Sequence, residues 1–240
     1  MLLATAIITA PRPKPTLEHS ILSYRDAGFD NALHIRADGE VQPFRSSYVD
    51  QWNSSITLNP RPLNNLRNWI AACQDLLDHS SASYLMVCED DITWAENAAG
   101  VLTSELSNWS RSNTGMISLY LPRRMSKLLE QLYSPGSRLR SGYYGIRFGR
   151  KLWGAQCLVF PRAEAQALLT CGYMKAVVSD PTKTINVDAH IAESMLLRER
   201  EIVYRVPCLV DHVLGDLNSS LYGAKDRPDL RTSYFEEYAR

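Results

Sequence analysis

The chain lacks most of the features that assign a protein to a class at sight. Its 240 residues hold 26 basic and 26 acidic side chains, so no global field draws it to nucleic acid or an anionic membrane. The five cysteines, at positions 73, 88, 157, 171 and 208, are odd in number and form no Cys-x-x-Cys pair. That pattern indicates neither a disulfide framework nor a structural zinc site, and suits buried thiols of a reducing compartment. No Gly-x-Gly-x-x-Gly and no Gly-x-x-x-x-Gly-Lys-Ser/Thr occurs, so the usual dinucleotide and triphosphate cradles are missing. Internal repeats and low-complexity segments are absent too. The opening stretch from Met1 to Pro11 has no basic flank and is too short to span a bilayer, so it reads as a first strand. The expectation is a cytoplasmic protein with no transmembrane anchor.

What is present describes one large globular domain: 45% hydrophobic and 22% charged residues. Short strands alternate with helices. Strands are expected at Ala4–Thr9, Ala32–Ala37, Ser55–Leu58 and Tyr84–Cys88, with a helix from Thr16 stopped by Gly28 and another over Asn65–Leu77. Further on come a helix over Ala95–Asn108 and a strand over Gly115–Tyr120. Leu121–Arg150, rich in Arg, Lys, Ser, Gly and Tyr, breaks the pattern and reads as a candidate lid or acceptor loop. A strand over Leu152–Phe160 follows, then a helix with Pro161 at its first position, a helix over Asn186–Arg200, and short strands at Ile202–Val206 and Cys208–Val213. The alternation predicts an α/β fold with a mainly parallel central sheet flanked by helices.

The most informative segment is Tyr-Leu-Met-Val-Cys-Glu-Asp-Asp at 84–91, an apolar run that ends in three carboxylates. Adjacent like charges at the end of a buried strand repel and resist desolvation, and a cation commonly offsets this. Oxygen ligands favour Mg²⁺ or Mn²⁺. A solvated acidic turn is the other reading of an isolated Glu-Asp-Asp. Open α/β sheets bind ligands at the carboxyl ends of their strands, so the loop Thr9-Ala10-Pro11-Arg12 after strand one should share a crevice with the acids. A phosphate-bearing ligand would then meet Arg12, with Lys14 close by, and a divalent ion on Asp91.

Four segments carry a resemblance to a known family. They are Ala6–Arg12 with the following Leu17–Phe29, which ends in Ala-Gly-Phe; Asn68-Trp69; Glu89-Asp90-Asp91; and Trp153–Arg162 with Asp188 and Pro207–Val213, Gly215 and Asn218-Ser219-Ser220. Together they resemble A-type-fold nucleotide-sugar glycosyltransferases, with motifs similar to those of branching N-acetylglucosaminyltransferases of type IV. Leu214, between Val213 and Gly215, stretches the terminal His-x-Gly pattern of that group.

The resemblance implies a metal-dependent glycosyltransferase, a hexosyl- or N-acetylhexosaminyltransferase, moving a sugar from a nucleotide diphosphate donor to a hydroxyl acceptor. UDP-sugars are the default donor. Asp91 and His212 would hold Mn²⁺ or Mg²⁺, while Thr9, Ala10, Arg12, Asn68, Glu89, Asp90, Trp153 and Gly154 would line the donor. Asp188 would be the catalytic base, with Glu193 the alternative and His190 a packing or surface residue. Residues 1–120 form the nucleotide-sugar-binding half on this view, and 151–240 the acceptor and catalytic half with a tail. The acceptor stays open among glycan, lipid, protein and modified nucleic acid, as does inversion or retention. Two other readings share these residues: a nucleotidyltransferase making a nucleotide-sugar, and a non-catalytic glycan- or partner-binding relative. The first should show a Gly-rich loop after strand one, where this chain has Ala-Pro-Arg-Pro-Lys-Pro.

Overall fold

Seven small or apolar residues, Leu3–Thr9, form strand β1, and every one of them is buried. A strand buried on both faces belongs in the middle of a sheet. The structure, a computed structural model, describes residues 2–12, 15–39, 53–147, 154–180, 187–213 and 234–235. After β1 come α1 (Leu17–Asp26), β2 (Leu33–Ala37), β3 (Ser54–Leu58), α2 (Asn65–His79), β4 (Tyr84–Glu89) and β5 (Ile92–Trp94). Then follow α3 (Ala98–Ser107), β6 (Thr114–Ser118), α4 (Arg123–Tyr133), β7 (Gly142–Ile146), β8 (Cys157–Pro161) and α5 (Arg162–Thr170). The remaining elements are α6 (Gly172–Ser179), α7 (Val187–Leu197), β9 (Glu201–Val206) and β10 (Val210–His212).

Eight strands make one sheet in the order β3-β2-β1-β4-β8-β6-β9-β7. β1 pairs in parallel with β2 and β4, β2 with β3, and β6 with β9. β8 runs against both β4 and β6, and β7 against β9. Six strands therefore share one direction and two oppose it, which makes the sheet mixed but largely parallel. Side chains alternate between the faces. Leu85 and Val87 of β4 join Leu158 and Phe160 of β8 in a core under α2, α4, α5 and α7. Met86 and Cys88 join Cys157 and Val159 in the opposite core, with α1 and α3. Cys88 and Cys157 face each other across β4 and β8 with their sulfurs 3.3 Å apart.

α2 shows how the sequence places an element. Asn64 caps it by accepting from Arg67 N–H at 3.1 Å. Leu66, Trp69, Ala72, Cys73 and Leu76 form its buried stripe, and Trp69 meets Phe160 edge to face at 5.5 Å.

Within its described part, Leu121–Arg150 is not the irregular stretch that its composition suggests. It holds α4 and the edge strand β7. Met125, Leu128, Leu129 and Leu132 recur at helical spacing, and Met125 and Leu129 are fully buried. Arg123 and Arg124 ahead of the stripe, and Lys127, Glu130 and Gln131 within it, mask it in a composition count. β7 contains two glycines, and it is secured by its register with β9 and by tyrosines. Tyr133 OH donates to Gly145 O, and Tyr143 OH to Glu105 Oε2. Two arginines of this region have partners inside the fold, Arg147 on Glu201 at 2.8 Å and Arg138 over the Tyr234 ring at 4.8 Å. Pro161 closes β8 and caps α5, one place before the first-turn position expected of it.

Candidate active site at the carboxyl edge of the sheet

β1 and β4 are parallel neighbours in a register that pairs Ile8 with Glu89, so Thr9 and Asp90 leave the sheet side by side. Thr9 Oγ1 donates to Asp90 Oδ2 at 2.5 Å. Arg12, on the loop after β1, reaches back to the acids: Nη2 donates to Asp90 Oδ1 at 2.5 Å and Nη1 to Asp91 Oδ2 at 3.3 Å. Ala10 sits partly exposed between them. The two loops thus meet at this edge of the sheet, with Arg12 already paired to the carboxylates.

The turn carrying the acids is held from α1. Buried Ser20 places its hydroxyl 2.7 Å from Asp90 O and 2.9 Å from Ile92 O, and accepts from Ile92 N–H at 3.1 Å. Ser23 Oγ accepts from Trp94 N–H at 2.7 Å. These serines were not singled out in the sequence. Their only signal was two hydroxyls three residues apart on an otherwise apolar helix face.

β5 is the short element the sequence reading omitted, and it explains how His212 arrives. β5 and β10 pair antiparallel with His212 opposite Ile92, and Val213 N–H donates to Asp91 O at 2.8 Å. His212 Nε2 then lies 3.3 Å from Asp91 Oδ2. Its Nδ1 lies 3.0 Å from Val213 O, which can only accept, so Nδ1 carries a proton. In the neutral ring the lone pair is therefore on Nε2, facing Asp91.

Glu89 faces the other side. It accepts from Asn65 Nδ2 at 3.3 Å and Gln156 Nε2 at 3.4 Å. Asp188, in the first turn of α7, accepts from Gly154 N–H at 2.7 Å. Gly154 and Gln156 precede β8, which runs against its neighbours and so begins at this edge. Trp153 lies outside the described residues, as do Lys14, Gly215 and Asn218-Ser219-Ser220. Asn68 is buried and reaches the region as a brace. Its amide donates to Thr9 O at 3.3 Å and Arg36 O at 3.4 Å, while its carbonyl accepts from Asn59 at 2.9 Å. His190 packs with Tyr173, whose hydroxyl lies 2.9 Å from Nδ1.

The electrostatics follow from crowding. Burial, then the charges of Asp91 and Asp188, pushes Glu89 up to about 8. Burial raises Asp90 to about 6 against the pull of Arg12. Burial acts on Asp91 in the same sense, but the hydrogen bond and charge of His212, helped by Arg12, carry it below the usual carboxylate range. Burial would lower His212, yet Asp91 and Glu89 hold it at about 9. Burial also raises Asp188, opposed by the Gly154 and Ala155 amides. Arg12 and His212 thus supply part of the positive charge that the sequence reading assigned to a bound cation.

Among the described residues, no group of three or more His, Cys, Asp or Glu side chains is arranged to hold a metal ion. Two donors converge nevertheless. Asp91 Oδ1 is buried and meets no hydrogen-bond partner among the described residues, and His212 Nε2, which carries the ring's lone pair once its proton is lost, lies beside the same carboxylate. One carboxylate and one imidazole fit a Mn²⁺ whose other positions come from ligand oxygens and water.

Gly154 is the tightest position in the cluster. Its φ is +91°, and a Cβ there would come within 2.4 Å of Gln156 Oε1 and 2.6 Å of the Tyr120 ring. Gly154→Ala is expected to cost about 2 kcal/mol or more from backbone strain and overpacking. Thermal unfolding should then fall by about 4–8 °C for a domain of this size. An unchanged Tm would show that Gly154 is not held in this conformation.

No protein-family model matches the sequence, and no curated protein matches it. Solved structures do match. The mannosyltransferase PcManGT from Pyrobaculum calidifontis, in complex with GDP-Man and Mn²⁺, aligns with TM-score 0.57 at 11% identity, covering 90% of this chain and 58% of its own. GalNAc-T7 with UDP, GalNAc and Mn²⁺ aligns with TM-score 0.60 at 11% identity, covering 95% and 47%. TarS of S. aureus, residues 1–349, gives 0.52 at 8%, covering 84% and 57%. The chain spans about half the length of these matched chains. The architecture, a largely parallel mixed sheet with helices on both faces, is that of the A-type glycosyltransferases.

Proposed function

We propose that this chain is a metal-dependent glycosyltransferase that moves a sugar from a nucleotide diphosphate donor to a hydroxyl acceptor. The observation that carries the reading is the convergence of Asp91, with its buried unpartnered oxygen, and His212, whose Nε2 lies 3.3 Å from the other oxygen of that carboxylate, at the strand ends where this fold is expected to bind ligands. Asp91 Oδ1 and His212 Nε2 would hold Mn²⁺, which when bound neutralises charge on the departing diphosphate. Arg12, on the neighbouring loop, would turn from the carboxylates to a phosphate oxygen. Thr9 and Ala10 line the same loop, Asp90 holds it through Thr9, and Asn68 braces its backbone. Glu89 and Gly154 border the sugar. Asp188 is the proposed base, with burial raising its proton affinity toward the range useful for taking a hydroxyl proton. The A-type fold of structures holding GDP-Man or UDP supports a nucleotide-sugar donor. UDP-sugars are the first to test and GDP-sugars the second. The type IV branching relationship rests on the residues quoted for it and belongs to this proposal. So does a cytoplasmic location, which the five free cysteines support.

The test is thermal unfolding with UDP or GDP, each with and without Mn²⁺, because a ligand that binds the native state raises its stability. One nucleotide should shift the transition and need Mn²⁺ to do so. If neither nucleotide shifts it with either metal state, the transferase reading fails and a non-catalytic binding role takes its place. The same measurement has a pH dependence. Without metal, His212 titrates near 9, above its ordinary 6.5. Its contribution to stability is full below about 6.5 and disappears as pH rises through 9. Glu89, raised to about 8, adds to the same loss, since its ionisation in the fold is resisted. The metal-free protein should therefore become less stable from pH 6.5 to 9. Metal binding displaces the His212 proton, so Mn²⁺ affinity should rise over that range by up to about tenfold per pH unit. A flat profile would remove His212 from the ligand set.

A further inference from the structure

Between Leu121 and Arg150 the chain holds seven basic residues and a single acid, Glu130, although its charges balance overall. The described part of this region borders an open cavity of about 520 Å³, within the size range of small-molecule sites. Lys127 and Gln131 of α4 line one wall, and the turn carrying Gly136 and Arg138 lines the other. The transferase chemistry proposed above makes no use of it.

Both walls are held in place. Ser137 N–H donates to Ser134 O at 2.9 Å across Pro135-Gly136, and Gly136 has φ +79°. Proline followed by glycine at positive φ is the chemistry of a type II turn, in which both central residues are restrained. A Cβ on Gly136 would meet nothing within 4 Å, so the turn leaves room beside it. Arg138 is steadied over the ring of Tyr234 at 4.8 Å. That ring is fixed in turn, since its hydroxyl donates to Glu130 Oε1 at 2.6 Å and accepts from Leu139 N–H at 3.0 Å. On the helix wall Lys127 is exposed, and no ion pair among the described residues uses it.

Charge decides the ligand. Glu130 is the one carboxylate in the lining, and Tyr234 already occupies its Oε1, which leaves Lys127 and Arg138 as two cations against one anion. An ammonium and a guanidinium on separate walls suit a compact oxyanion. Phosphate gains most from two cations, because a phosphate ester carries about −1.5 to −2 at pH 7. The donor's phosphates belong elsewhere. α4 ends against β7, where Tyr133 bonds Gly145 O, and β7 is four places from β4 in the sheet, about 20 Å at ordinary strand spacing. We propose that this cavity is a binding site for a phosphate group, separate from the donor site, with Lys127 and Arg138 as its charged contacts. A soluble phosphate compound and a lipid headgroup share that chemistry. The site does not depend on the transferase reading.

The experiment compares Lys127→Gln, which removes the charge, with Lys127→Arg, which keeps it. Inorganic phosphate is titrated by calorimetry into metal-free protein at constant ionic strength in chloride. Lys127→Arg should bind it within about twofold of wild type and Lys127→Gln about three- to tenfold more weakly, with Tm unchanged in both because the side chain is exposed. Flotation with phosphatidylcholine vesicles, with and without phosphatidic acid, separates the sources. Binding that needs phosphatidic acid and is lost in Lys127→Gln assigns a headgroup, while phosphate binding without vesicle binding assigns a soluble compound. Wild-type protein that does not prefer phosphate to chloride, or Lys127→Gln that binds phosphate like wild type, overturns the proposal. Mn²⁺-dependent binding of UDP or GDP should be the same in Lys127→Gln as in wild type, and a loss there would put the nucleotide's phosphates in this cavity and overturn the separation of the two sites. Wild-type protein that binds phosphate but neither nucleotide ends the transferase reading and leaves this site standing.

Discussion

Asp91→Asn is expected to abolish Mn²⁺-dependent nucleotide binding and to lower sugar transfer on the order of 10²–10³-fold, the scale of losing one electrostatic contact to a developing charge. The amide keeps the volume of the carboxylate and an oxygen for Arg12, so the loss would report charge and not shape. Asp91 holds two positive partners at once, Arg12 at 3.3 Å and His212 at 3.3 Å. Without its charge, His212 loses the chief reason for its raised proton affinity and should titrate several-fold more easily near neutral pH. The metal-free variant should be destabilised by about 1–3 kcal/mol, the range for disrupting a buried charged hydrogen bond. NMR titration of His212, calorimetry with Mn²⁺ and a transfer assay check the three effects independently. Full Mn²⁺-dependent binding by Asp91→Asn would move the metal site elsewhere in the chain.

Asp188→Asn tests the chemistry apart from binding. The amide oxygen still accepts from Gly154 N–H, which donates to Asp188 at 2.7 Å, so the donor wall should stay in place. Proton abstraction from the acceptor hydroxyl is lost. The expected outcome is a fall in kcat of about 10²–10⁴, with nucleotide affinity unchanged within twofold and Tm preserved. Asp188→Ala removes the Gly154 hydrogen bond as well, so it should lose donor affinity in addition to kcat. That contrast separates a proton acceptor from a brace. If Asp188→Asn turns over like wild type, Glu193 on the same helix becomes the next base to test.

Much of this edge was legible before the fold was known, because strand ends advertise themselves. An apolar run that stops at Glu89-Asp90-Asp91, and another that stops at Thr9, locate two neighbouring loops once the sheet is taken as parallel. The brace residues were harder to see. Ser20 holds the acid turn through backbone carbonyls, and nothing in one sequence distinguishes it from any polar residue on a helix. β5 is three residues long, shorter than any periodicity can reveal, yet it sets the register that brings His212 to Asp91. α4 was hidden for the opposite reason: its apolar stripe is regular, but the charged and polar residues before and between its members dominated the composition. The pairing of Arg12 with two acids could not be foreseen, since a guanidinium on a loop reaches either a ligand or its neighbours.

The reversed direction of β8 has a bearing on how such a protein changes over generations. In a wholly parallel sheet only outgoing loops reach the carboxyl edge, and each is tied to the helix that follows it. β8 presents an incoming segment there instead, so Gly154 and Gln156 arrive at the site ahead of the strand that anchors them. A change of residue just ahead of β8 therefore reaches this edge without altering any strand-to-helix connection.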